Sequence, residues 1–283
     1  MNMMNQIRNT NEPNRALQPL ILAIETSSRV GSVALALGTE LLGQATFSAP
    51  LRHSAEIFGA IAGLLSRAGY GPSDLRQVHI SAGPGSFTGL RIAVAAAKAM
   101  HLAGGVRIVA VDCLDVIAAN AKDVPSATAF QWNSEDSPAP RRLATVLDAK
   151  RGQFFTAVYE YSRDIHGPAS EPTPDGPGYR IPAPADGDWR KTLPDCLLSA
   201  ADLRDRFANP DEPILVAGDG LLHHRSQFEV EGIQILDPAL WSPQATGVLL
   251  LGRQKAASDR FSDPLTLVPF YLRGPEVTLR KRA

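Results

Sequence analysis

Apolar and polar positions alternate along the first part of the chain in a way that lays out a definite order of elements. Leu20–Ser28, LILAIETSS, is an apolar run that stops at Glu25 and a group of small hydroxyls, and it predicts a buried strand. Val30–Leu37, VGSVALAL, and Glu40–Ser48, ELLGQATFS, predict two more, and their short Gly- and Ser-containing links imply antiparallel hairpins. HSAEIFGAIAGLLSRAGYG then takes up helical spacing, with His53 or Ser54 as cap, Glu56 in the first turn and Gly69 at the exit. Ile57, Phe58, Ile61, Leu64, Leu65 and Ala68 are its expected core face. QVHISA predicts a strand, GPGSFTG a glycine loop, and the alanine-rich run after it a second helix. VRIVAVD and CLDVIAANA add one more strand and helix. Three antiparallel strands followed by strand–helix alternation is a ribonuclease-H-like order of an α/β protein.

The same unit recurs. RRLATVLDAKRGQFFTAVYEY matches QPLILAIETSSRVGSVALALG: an apolar run ending in an acid (Asp148, Glu25), a polar turn, a glycine (Gly152, Gly31), then an alternating strand. PILVAGDGL predicts a further strand ending in Gly218–Gly220, and SPQATGVLLLGRQKAASD a further helix. The expected architecture is therefore two related halves around a cleft: a polar, disordered tail over 1–17, a first half over 18–112 and a second over 113–283. The final helix and the C-terminal segment are expected to pack back on the first half. Polar, proline-containing stretches from Ser126 to Arg141 and from Ser162 to Pro194 read as surface excursions, insertions near 121–140 and 163–195.

Composition narrows the function classes. With 283 residues, 44% hydrophobic and 20% charged, the chain is an ordinary globular one. A net charge of −1 gives no bulk reason to coat nucleic acid or acidic membranes. No run is apolar enough to span a bilayer and the N-terminus has no signal-peptide core, so no membrane association and a cytoplasmic location are expected. Cys113 and Cys196 form no CxxC, which argues against a zinc finger or a disulfide framework.

Candidate chemistry is sparse. The glycine loop, with Gly83 and Gly85, opens a helix and could receive an anion. Yet it lacks the lysine of a P-loop and the spacing of a dinucleotide fingerprint, so tight turning and close backbone approach are the competing reading. Glu25 and Asp148, each at the end of a first strand, could hold a hydrated magnesium ion on a nucleotide, or accept N–H bonds from their own turns. Glu25, Gly83, Gly85, Asp148, Gly218 and Gly220 are thus the candidate weak nucleotide or anion site. His223 and His224 are adjacent and point apart on a helix, Ser86 sits in no nucleophile elbow, and Cys113 reads as packing, so no catalytic residue and no metal ligand are assigned.

A sharper pattern is geometric. Ala55, Gly59, Ala62 and Ser66 fall on one face of the first helix, and Ala93, Ala96, Ala97, Met100 and Ala103 make the second helix small-sided. Small, uncharged faces on neighbouring helices suggest a surface that a partner or a second copy covers. Ala55, Gly59, Ala62, Ser66, Ala93, Ala96 and Met100 are the expected partner-binding residues.

ILAIETSSRVGSVAL, AGPGSFTGLRIAVAAAKAM, LDAKRGQFFTAVY and PFYLRG together resemble the TsaB family, bacterial tRNA threonylcarbamoyladenosine biosynthesis proteins. GPGSFTGLRIG is that family's hallmark, with Ala93 here in place of its last glycine. The resemblance implies the actin-like ATPase fold. It also implies a non-catalytic partner of the paralogous TsaD, the transferase that places threonylcarbamoyl on adenosine 37 of tRNA. TsaD-type proteins carry an HxxxH metal motif; at the matching positions this chain has Cys113 and Ile117, and isoleucine cannot ligate a metal. Further implications are a heterodimer with a TsaD-type transferase through the first two helices, a TsaE-type ATPase in a larger complex, tRNA reached through that complex, a homodimer when alone, and no cofactor beyond weak nucleotide binding. The alternative reading is a self-sufficient actin-fold ATP-binding enzyme using Glu25, Asp148 and Gly218–Gly220. Arg273, Arg280, Lys281 and Arg282 could contact tRNA phosphates or form a solvated tail.

Overall fold

Strand β1 (Leu20–Glu25) is buried along its whole length because helices cover both faces of its sheet. It pairs antiparallel with β2 (Ser32–Leu37), from Leu20 opposite Leu37 to Glu25 opposite Ser32, and β2 pairs antiparallel with β3 (Glu40–Thr46). On the other side β1 runs parallel to β4 (Leu75–Gly83), and β4 parallel to β5 (Arg107–Asp112), giving the order β3-β2-β1-β4-β5. The structure is a computed structural model that describes residues 18–48, 53–123, 141–162, 180–183 and 187–273. The expected tail over 1–17, most of the insertion segments, and Arg280, Lys281 and Arg282 lie outside the described residues.

The alternation of side chains in β1 and β2 assigns a large and a small face to the sheet. Leu20, Leu22, Ile24, Val33 and Leu35 meet α1 (His53–Ala68) and α2 (Phe87–Gly104) in one core. Ile21 with the small Ala23, Ala34 and Ala36 belongs to the second core, which continues through α3 (Cys113–Asn120) into the second sheet. Helix α6 (Ala245–Ala257) lies on this small face, against β1, β2, β4 and β5. Polar ties hold it there: the Ala245 N–H donates to Ser32 Oγ (3.0 Å), Arg253 to the Gly38 carbonyl (3.1 Å) and Lys255 to the Ala110 carbonyl (2.8 Å).

The second sheet repeats the first. β6 (Arg142–Asp148) pairs antiparallel with β7 (Gln153–Ser162), β7 antiparallel with β9 (Asp188–Ser199), and β6 parallel with β10 (Ile214–Ala217), itself parallel to β11 (Ile233–Ile235). A short β8 (Ile181–Pro182) adds an outer edge, so the order is β11-β10-β6-β7-β9-β8. Helix α4 (Ala200–Phe207) follows β9 directly and is started by a capping box between Ser199 and Asp202. A single turn, α5 (Leu221–His224), follows β10.

Three expectations change here. The polar stretch ending at Pro194 is not surface excursion throughout, since β9 begins at Asp188. Its alternating, half-exposed positions and a bulge between its Leu193 and Cys196 pairings hid the strand. Phe58 is not a core residue: it is 59% exposed, because its neighbour Ile57 takes the inward position and Phe58 sits about 100° around the helix. Ala93, Ala96 and Ala97 form no open face. They are the buried inner face of α2, and their smallness lets the helix lie close to β4.

Candidate functional site

The two halves meet at a cleft of about 690 Å³ at the carboxyl ends of β1 and β6. Its walls come from the turn after β1 (Ser27–Arg29), the glycine loop before α2, the turn after β6 (Asp148–Arg151), Asp219 after β10, and residues 270–273 of the C-terminal segment.

The glycine loop serves backbone packing. Ser86 N–H donates to the Ser27 carbonyl (2.7 Å), Thr26 Oγ1 donates to the Gly89 carbonyl (2.7 Å), and Ser86 Oγ caps α2 by accepting from Gly89 N–H. A Cβ on Gly85 would sit 2.6 Å from the Ser27 carbonyl oxygen; Gly83 has φ +132° and is crossed by the backbone of Phe270, whose N–H bonds Ala82. Gly218 and Gly220 pass close to Val146, whose carbonyl accepts from Gly220 N–H (3.1 Å). The amides of Ser86 and Gly220 are therefore spent within the fold instead of forming a phosphate cradle.

The carboxylates divide by environment. Glu25 does not line the cleft. It is buried, accepting from Ser27 N–H and Ser27 Oγ (2.5 Å each) and from Ser81 Oγ, and burial raises its pKa against the pull of these bonds. As a candidate ligand it is corrected to the carboxylate that ties its own turn. Asp148 does line the cleft. Partial burial pushes its pKa up, but bonds from Lys150 N–H (2.7 Å) and Lys150 Nζ (2.6 Å) outweigh this and hold it below the ordinary value. Asp219, between two glycines, was not singled out from the sequence. Burial pushes it up to about 6, with the backbone N–H groups of Asp148 and Arg29 pulling the other way.

Of the expected partner-binding residues, Ala55, Gly59, Ala62 and Ser66 are exposed on α1 beside Phe58. Met100 is half-buried against the first core, and Ala93 and Ala96 are sealed beneath α2. Ala93 and Ala96 are therefore removed from the contact surface. The outward residues of α2 are instead Phe87, Thr88, Arg91, Ala95, Ala99, Leu102, Ala103 and Gly104.

No cluster of three metal-ligating side chains occurs among the described residues. Cys113 and Ile117 are fully buried, and burial keeps the Cys113 thiol protonated by raising its pKa. His223 meets Arg29 (3.2 Å), while His224 packs edge-on against Phe154. No described helix is long and apolar enough to cross a membrane.

Against known proteins, residues 48–187 match the family model described as TsaD, tRNA N6-adenosine threonylcarbamoyltransferase. The chain is 27% identical over 256 residues to the tRNA threonylcarbamoyladenosine biosynthesis protein TsaB of Bacillus subtilis strain 168, covering 89% of this chain and 93% of that one. It is 30% identical over 148 residues to TsaB of Escherichia coli K12, covering 52% and 57%. Among solved structures, YeaZ from Pseudomonas aeruginosa superposes with a TM-score of 0.64 at 20% identity, over 90% of this chain and 100% of that one. A Pseudomonas aeruginosa protein described as similar to the peptidase YeaZ gives 0.66 at 21%, with the same coverage. Two sheets of matching strand order facing each other across a cleft make this an α/β protein of the actin-like ATPase fold. Within that class, the relatives it is similar to are TsaB proteins, and the family model it matches is the TsaD one.

Proposed function

We propose that this chain acts in tRNA threonylcarbamoyladenosine biosynthesis as a non-catalytic subunit that binds and activates a TsaD-type transferase. The observation that carries the reading is the outer face of α1, where Ala55, Gly59, Ala62 and Ser66 surround an exposed Phe58. A solvated helix face normally carries long charged side chains; small residues around one aromatic suit close helix-to-helix approach by a partner. The names of the relatives support the pathway. The spent glycine amides and the buried Glu25 speak for a chain without catalysis of its own. In this reading a TsaE-type ATPase joins the heterodimer, tRNA is reached through the complex, no cofactor is required, the same face pairs two copies when the partner is absent, and the site of action is the cytoplasm.

Gly59 gives a clean test. A Cβ built there meets nothing within 4 Å, so a larger side chain leaves the fold alone. Gly59→Arg and Ala62→Arg should each abolish co-elution with a co-expressed TsaD-type subunit and with it threonylcarbamoyl transfer to tRNA, at unchanged melting temperature. Co-elution that survives both substitutions would refute the reading. Turnover of Mg-ATP by the isolated chain would favour the self-sufficient enzyme.

A further inference from the structure

The cleft between the halves holds cationic groups that its carboxylates leave unmatched. Arg29 comes from the turn after β1, Lys150 from the turn after β6 and Arg273 from the C-terminal segment, and all three line the same cavity. Lys150 is matched by Asp148 at 2.6 Å. Arg29 and Arg273 meet other groups. The Arg29 guanidinium meets the ring of His223 at 3.2 Å, and Arg273 donates to the Ala149 carbonyl (2.7 Å) and to the Gln153 side-chain carbonyl. Among the described residues neither has a carboxylate within ion-pair range. Arg273 is half-buried, where an unpaired guanidinium costs most and an anion gains most.

One wall of the same cavity is aromatic. The rings of Phe87 and Tyr271 lie 5.0 Å apart at 34°, and Arg91 stacks over Phe87 at 3.8 Å while donating to Tyr271 Oη (3.2 Å). These contacts hold the wall in place before any ligand arrives. The volume of about 690 Å³ lies within the ordinary range of small-molecule sites. The ligand is not a polyphosphate wrapped by backbone, because the Ser27, Ser86 and Gly220 amides are already bonded to Glu25, Ser27 and Val146.

We infer that this cleft binds a small organic anion, a single phosphate or carboxylate joined to a flat aromatic body, with the anion on the Arg29 and Arg273 guanidinium groups and the ring against the Phe87–Tyr271 wall. The site is independent of the α1 surface, so its failure would leave the partner reading standing, and the reverse also holds.

Titration calorimetry of the full chain with phenyl phosphate, inorganic phosphate, phenol and Mg-ATP tests it. Phenyl phosphate should bind saturably at one site, about tenfold more tightly than inorganic phosphate or phenol. Arg273→Gln and Arg29→Gln should each weaken it by about tenfold or more, the loss of one charge-assisted pair. If Arg273→Gln lowers the melting temperature of the free protein, Arg29→Gln at its exposed position carries the test. No saturable binding, binding indifferent to both substitutions, inorganic phosphate as tight as phenyl phosphate, or Mg-ATP tighter than phenyl phosphate would each overturn the inference.

Discussion

Gly59 and Gly85 are chemically identical and structurally opposite. An added methyl at Gly85 would meet the Ser27 carbonyl at 2.6 Å and Ser27 Cβ at 2.9 Å, so the loop or the β1–β2 turn must shift. Gly85→Ala should cost about 1–3 kcal/mol in urea unfolding. Gly59→Ala, in open space within α1, should be neutral or stabilise by up to about 1 kcal/mol. His79 supplies a pH test. It is buried between β4 and α6, and burial, with the Arg253 charge adding, pushes its pKa down to about 3. The unfolded chain therefore binds a proton between about pH 6.5 and 3 that the folded chain refuses. This group's contribution to stability is full above that window and falls as pH drops through it, by about 1.4 kcal/mol per pH unit. Urea melts of the protein and of His79→Gln, at pH 6.5 and 4.5, should show the parent losing more stability on acidification than the variant. Neither the neutral histidine nor the burial of Asp219 was legible beforehand. A lone His in a strand and an acid between glycines look the same whether buried or solvated.

Elements were read best where both faces are buried or strictly periodic. β1, β2, β4 and β5 are short apolar runs bounded by turn residues, and the structure has them in the order the spacing implied. β9 was missed because its inward side is partly ionic. Lys191 reaches Asp112 (3.0 Å), Asp115 (2.7 Å) and Asp195 (2.7 Å), and Tyr159 donates to Asp115 (2.8 Å). This cluster ties α3 to the second sheet, and a Lys–Asp-rich run reads from sequence as loop. Burial, with Lys191 pulling the other way, pushes Asp112 up to about 7. The folded state thus keeps a proton above the ordinary aspartate value of 3.8 that the unfolded state has lost, so stability from this group falls as pH rises toward 7. Lys191→Met should cost about 3–5 kcal/mol above pH 7, because three carboxylates lose their shared cation. The loss should shrink near pH 5, where protonation relieves the repulsion, and denaturant melts at pH 5 and 8 measure the difference. The helices were legible in position but not always in facing: small residues served burial in α2 and exposure in α1, and smallness alone cannot tell these apart.

At the scale of the molecule, the duplication was visible in the paired acid–turn–glycine signatures and the final helix was expected to pack back on the first half; the individual bonds that seat it there were not legible. α6 comes from the second half in sequence and closes the small face of the first sheet, so Ile21, Ala23, Ala34 and Ala36 have no cover without it. A fragment ending at residue 123 should therefore lack a cooperative urea transition, while the full chain unfolds in one step by circular dichroism and fluorescence alike. A seam of three α6 bonds, Ala245 N–H to Ser32 Oγ, Arg253 to the Gly38 carbonyl and Lys255 to the Ala110 carbonyl, crosses from the second half of the chain to the first sheet. That seam joins the two lobes that would otherwise rock against each other. A clamp that opens and shuts with each catalytic cycle could not tolerate it; a rigid strut that transmits its position to a neighbour would require it.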